Sequence, residues 1–160
     1  MKVKRLTGLF ILIVVGSFLL SSCGAPPAVE RERTYHVDFD TTWKAVKHVL
    51  QKRMYPVKVI KKEKGLIITD YVNFARGKNA KRKIDTVAIR PSGFWFRWRE
   101  GRFSISIQVI RAGKKVTRVK IRLYVEAYES RVTFRWHLCQ SRGNLEKELF
   151  REIEEEIRIS

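Results

Sequence analysis

From Arg102 to Glu129 the chain alternates apolar and polar residues, interrupted by a single turn. Phe103, Ile105, Ile107 and Val109 take one side of a strand, and Ser104, Ser106 and Gln108 take the other. After the turn at Ala112-Gly113-Lys114, Val119, Ile121, Leu123, Val125 and Ala127 alternate with Arg118, Lys120, Arg122, Tyr124 and Glu126. Side chains along a strand point to opposite faces in turn, so this pattern demands a sheet with one dry and one wet face. A dry face has to be covered, and the cover must come from elsewhere in the chain.

Two segments have the spacing to supply it. A helix capped by Asp40 or Thr41 and running to about Met54 would place Trp43, Val46, Val49, Leu50 and Met54 on one side. A closing helix from residues 141–144 onward would do the same with Leu145, Leu149, Phe150, Ile153 and Ile157. Shorter strands are expected at residues 35–39, 57–61, 66–72, 84–90 and 94–99. Residues 62–65 form a hairpin turn, 73–83 a basic loop, and Glu100-Gly101 a second turn. Residues 130–140 have no clear period. The fold class is therefore α+β, an antiparallel sheet of five to seven strands packed on two helices in the order β-α-β(n)-α.

The N-terminal segment answers a different question. Met1-Lys2-Val3-Lys4-Arg5 is basic, residues 6–20 are largely apolar, and Leu20-Ser21-Ser22-Cys23 follows. A basic start, a short apolar core and small residues at the cut mark a secretory signal. With a cysteine directly after the small residues, the pattern is a lipobox, which predicts cleavage before Cys23 and lipidation of its thiol. A spanning helix needs about 20 apolar residues, and this core is shorter. The domain reading is then a signal peptide at 1–22, a lipidated tether at 23–34 and one domain at 35–160. The remaining cysteine, Cys139, has no partner for a disulfide and reads as a small buried apolar residue.

The formal charge of +18 is unevenly distributed. Between Lys44 and Gln140 there are 25 Lys and Arg against 6 Asp and Glu, whereas the last twenty residues carry 4 against 6. Such a field attracts anionic headgroups, acidic protein faces or nucleic acid. Export argues against nucleic acid.

Certain phrases carry a resemblance. Phe39-Asp40-Thr41-Thr42-Trp43-Lys44-Ala45-Val46, then Glu63-Lys64-Gly65-Leu66-Ile67-Ile68-Thr69-Asp70 and a closing amphipathic helix, resemble one helix-grip domain of the BamC (NlpB) lipoproteins. Those are accessory subunits of the outer-membrane β-barrel assembly machinery. The resemblance covers most of 35–160. It implies a lipid-anchored accessory or scaffold protein at the periplasmic face of the outer membrane, with an envelope protein as partner, β-barrel assembly components among the candidates. In enterobacterial lipoproteins an Asp after the lipidated cysteine favours retention in the inner membrane, and by resemblance to those proteins Gly24 permits transfer to the outer membrane. The familiar members have two such domains and a long docking arm, so their docking role does not carry over to this chain.

No catalytic constellation stands out. His36, His48 and His137 are scattered, and His137-Leu138-Cys139 lacks the further ligands of a metal site. Neither a Gly-x-Ser-x-Gly elbow nor a nucleotide loop is present. The reading is of a non-enzyme that takes no metal and no cofactor. Candidate anionic-partner positions are Arg118, Lys120 and Arg122, which share one side of a strand, together with Arg97 and Arg99 should their strand lie nearby. The block Phe94-Trp95-Phe96-Arg97-Trp98-Arg99 suits either a core strand or a lipid or partner surface, and stacking aromatics between arginines also suit single-stranded nucleic acid. The alternative to the scaffold reading is therefore a basic polyanion-binding module.

Overall fold

The long alternating hairpin is the spine of the fold. In a computed structural model that describes Val29 and residues 31–160, β6 (Trp98–Gly113) and β7 (Val116–Glu129) pair from one end to the other. The signal peptide, Cys23 and most of the tether lie outside the described residues. Shorter strands flank the spine in pairs. On the β6 side lie β3 (Leu66–Thr69), itself paired with β2 (Val57–Lys61), and β4 (Val72–Arg76). On the β7 side lie β1 (Glu32–Tyr35) and β8 (Arg135–Ser141), the latter paired with the two-residue β5 (Ala88–Ile89). All pairings are antiparallel, giving an eight-stranded sheet.

The dry face is the one the alternation specifies. Phe103, Ile105, Ile107 and Val109 are buried with Val119, Ile121, Val125 and Ala127. Helices α1 (Phe39–Lys52) and α3 (Asn144–Ile159) pack on each other and on this face. Trp43, Val46, Val49 and Leu50 meet Leu149, Phe150 and Ile153 there. Tyr35 ties β1 to α3 by donating its hydroxyl to the Phe150 carbonyl at 3.1 Å. Electrostatics reinforces the helix pair, because α3 is acidic and α1 ends basic. Arg53 donates to both carboxylate oxygens of Glu152, at 2.8 and 2.6 Å, and to Glu148 at 3.1 Å. His48 lies 2.6 Å from Glu156.

Local chemistry sets the boundaries. The N-cap of α1 is Asp38, whose carboxylate accepts from the Thr41 N–H at 2.9 Å, so neither Asp40 nor Thr41 caps it. Asp40 sits in the first turn and pairs with Lys62 at 2.8 Å. The helix closes at Lys52, and Met54 then takes a positive φ of 53° and is exposed, which removes it from the expected apolar stripe. Gly65 ends the β2–β3 turn at φ 59°, and its carbonyl accepts from Val109 N at 2.7 Å. A Cβ there would run into the Val109 carbonyl, so the turn needs glycine for space as well as for φ.

Further expectations are corrected, beginning with number: among the described residues the sheet has eight strands where five to seven were expected, and there are three α-helices where two were expected. The sheet begins at Glu32, so 32–34 belong to β1 rather than to the tether, and residues 36–38 are a turn. Of the strand expected at 84–90 only β5, at Ala88–Ile89, is strand. The loop at 73–83 is instead β4, a turn of 3-10 helix and the start of a third helix, α2 (Ala80–Val87), which buries Ala80 and Ile84 beside β4 and β6. Its short basic sequence hides the apolar face, since only two of eight residues are buried. Finally, β6 runs straight through Glu100-Gly101, and residues 94–97 precede it as a loop.

Leu149 is fully buried between α3 and the sheet. Leu149→Ala should cost about 2–5 kcal/mol and lower the denaturation midpoint accordingly. An unmoved midpoint would contradict the packing described.

Candidate functional site

The wet face of the spine is uncovered by any helix, and it carries Arg118, Lys120 and Arg122 as the alternation requires. Opposite them across the hairpin stand Ile110, Gln108 and Ser106. The basic stripe is not left unmatched, however. Glu32 of β1 pairs with Arg118 at 2.9 Å and with Lys120 at 3.1 Å. Sequence reasoning had placed Glu32 in the tether, which is why the stripe read as purely cationic. Arg122 has no acidic partner among the described residues.

Arg122 also lies where the pairing of β7 changes hands. On the outer edge of β7, β1 pairs with residues 117–120 and β8 with residues 125–129, leaving 121–124 without a strand partner. The Ile121 N–H points to this edge and bonds the Arg31 carbonyl at 2.9 Å. Alternation then turns the Leu123 backbone to the same edge. A cleft of about 510 Å³ opens there, lined by Arg31, Lys120, Arg122, Tyr124 and Leu138. It is lined also by Glu32, which pairs with Arg118 and Lys120, and by the buried Glu146, which accepts from Ser141. Leu138 and Tyr124 are exposed. A hollow of 130 Å³ continues onto the wet face past Ser106 and Gln108. The site combines a cation without an acidic partner among the described residues, apolar side chains and an unpaired stretch of strand backbone. Burial pushes the Cys139 thiol in this cleft up to about 11.

Arg97 and Arg99 are not part of this face. Trp98 pairs with Glu129, whereas Arg122 pairs with Ser106 and Arg118 with Ile110, which sets Arg97 and Arg99 roughly 23 Å from Arg122 and roughly 36 Å from Arg118 along the strands at about 3.3 Å per residue. They join Lys78 and Lys81 around a separate hollow of 260 Å³. The candidate surface is thus two basic patches at different places on the sheet.

At that second end, one carboxylate organises the backbone. Glu129 is completely buried. It accepts from the N–H groups of Arg97 at 2.9 Å, Arg131 at 2.6 Å, Val132 at 2.8 Å and Thr133 at 2.6 Å, and from the Thr133 hydroxyl at 3.1 Å. Burial raises its pKa, and the backbone donors of Thr133, Arg97, Val132 and Arg131 outweigh that and hold it well below its ordinary value of 4.5. Nothing in the sequence distinguishes Glu129 from a strand-end surface charge. Below it, Phe96, Trp98 and His137 form an aromatic cluster with ring centroids 5.5 to 5.6 Å apart.

Among the described residues no three His, Cys, Asp or Glu side chains converge as metal ligands, and no helix is long and apolar enough to cross a membrane. His137 is engaged by the aromatic cluster and by Thr133 Oγ1 at 2.6 Å. Compared with known proteins, the chain matches no family model, and no curated protein matches it significantly.

Glu129→Gln replaces an acceptor by an amide that turns its own donors on backbone N–H groups. Amide exchange at Arg97 and residues 131–133 should accelerate while the α1–α3 core stays protected. In the wild type the folded pKa is depressed, so the carboxylate's contribution is fully present above its ordinary value of 4.5 and is lost only as pH falls through the lower folded value. Exchange protection of these amides, corrected for intrinsic rates, should therefore not change between pH 5 and 8. A loss of protection inside that window would contradict the assignment.

Proposed function

We propose that the chain is a non-catalytic, membrane-anchored lipoprotein that acts as an accessory or scaffold in outer-membrane or envelope assembly. Its anchor is the lipid on Cys23, and its protein partner presents an extended acidic segment to the cleft between β1 and β8. The observation that carries the partner assignment is Arg122, a cation without an acidic neighbour among the described residues, set in a cleft with apolar walls and a strand edge.

Two features of the sequence support the anchored-scaffold part. Leu20-Ser21-Ser22-Cys23 supplies the lipidation signal, and the Trp-bearing helix followed by Gly65-Leu66-Ile67-Ile68-Thr69-Asp70 carries the resemblance to BamC-type domains. β-Barrel assembly components are candidates for the partner by that resemblance. An apolar wall with one unmatched charge favours a protein segment over a phosphate polymer, which would need several cations free at once; here Arg118 and Lys120 already share Glu32.

A photo-crosslinking residue at Tyr124, which lines the cleft, tests this in cells producing the full chain. The wild type should give a discrete adduct with an acidic envelope protein, and Arg122→Glu should abolish it while the protein level and melting midpoint hold. An adduct that survives Arg122→Glu unchanged, or one formed with nucleic acid, would overturn the proposal.

A further inference from the structure

The loops that Glu129 binds together present an apolar tip. Residues 90–97, between β5 and β6, and residues 130–134, between β7 and β8, meet at the end of the spine, where Ser130 N bonds the Arg97 carbonyl at 2.9 Å. Four large apolar side chains project there: Phe94 is 91% exposed, Trp95 60%, Val132 53% and Phe134 65%. Phe94 and Trp95 stack edge to face at 5.0 Å, and the Arg131 guanidinium lies 5.2 Å over the Trp95 ring. Arg97 and Arg135 are exposed beside them. Residues 90–97 and 130–135 contain Arg90, Arg97, Arg131 and Arg135 and no acidic residue.

This exposure is built in. Glu129 fixes 131–133 and Arg97 from inside, and the Phe96–Trp98–His137 cluster supports the loops from below. Phe134 holds a φ of 50°, a conformation that a bulky residue adopts only under constraint from its surroundings. Aromatic and aliphatic side chains ringed by arginine match the headgroup layer of an anionic bilayer, where rings sit at the boundary and guanidinium groups meet phosphate.

Glu32 lies opposite Lys120 and Tyr35 opposite Thr117, so β1 read backward runs in the direction of Glu129. β8 takes the β7 edge from Val125 onward, and Val29 lies beside Gly143, past the end of β8 away from the tip.

We infer that the tip is a second membrane contact. Phe94, Trp95, Val132 and Phe134 enter the headgroup layer of the anionic bilayer that holds the anchor, and Arg97, Arg131 and Arg135 bind its phosphates. The inference rests on the reading of the chain as membrane-anchored and adds an orientation to it. The β7 cleft then lies to the side, clear of the lipid.

The test uses the full chain reconstituted in vesicles of phosphatidylethanolamine and phosphatidylglycerol carrying brominated acyl chains. Bromine should quench tryptophan emission, and Trp95→Phe should remove most of that quenching, because Trp43 and Trp98 are buried and the part-buried Trp136 packs against Arg102 and Tyr128. Exchanging phosphatidylglycerol for phosphatidylcholine, or changing Arg97 and Arg131 to Gln, should weaken it. Quenching that is absent, or equal in wild type and Trp95→Phe, overturns the proposal, as does crosslinking of position 94 to a protein rather than to lipid. The anchor is read separately from the mass at Cys23. A lipidated chain with unquenched Trp95 defeats the tip alone, and an unlipidated chain with quenched Trp95 defeats the anchor alone.

Discussion

Everything in this domain hangs on the register between β6 and β7, which runs from Gly113 against Val116 to Trp98 against Glu129. A slip of one residue would move every side chain of the slipped strand to the opposite face. Ile105, Ile107, Val119 and Ile121 would then meet water, and arginines would meet α1 and α3. The flanking strands are too short to enforce the register themselves, and each instead reads it from the spine. Where β3 gives way to β4 beside β6, Thr69 Oγ1 accepts from Ile105 N at 2.9 Å and bridges the gap. Where β1 gives way to β8 beside β7, no strand fills the interval, and the cleft is the result.

The charge distribution follows from the same layering. Three of the six acidic residues of the C-terminal segment tie α3 to α1 and its cap, Glu148 and Glu152 on Arg53 and Glu156 on His48 and Lys52. Glu154 reaches Arg33 of β1. Glu32 and Glu126 meet Arg118, Lys120 and Arg102 on the wet face. Lysine and arginine are exposed over much of the domain, among them Lys44, Lys47, Lys58, Lys61, Lys64, Lys114 and Lys115. Around Arg122, and around the tip with Arg97, they stand beside exposed apolar side chains.

The spine and its two covering helices were legible because their signals are periodic and strong. Alternation over Phe103–Ala127 and the stripe Leu149, Phe150, Ile153 leave one way to bury a core. α2 was not legible, since Ala80 and Ile84 are its only buried residues and six of the seven residues 77–83 are Gly, Asn or basic. β1 was partly missed because its alternation is masked by charge; Glu32 and Arg33 look like linker until a partner strand is known. Of the candidate site, the stripe on β7 could be read residue by residue, but its neutralisation by Glu32 and its distance from Arg97 and Arg99 are long-range facts. Glu129 was invisible for the same reason, because its partners become adjacent only when two loops meet.

Both proposed contacts, the side cleft for an acidic segment and the tip for lipid, presuppose that the chain is held at a membrane by Cys23. Intact mass spectrometry of the native chain extracted from membranes tests this most directly. The account predicts a polypeptide beginning at Cys23 with added acyl mass on that residue, and a Cys23→Ser chain that keeps residues 1–22. A wild-type chain recovered without acyl mass, or cut at another position, would contradict it.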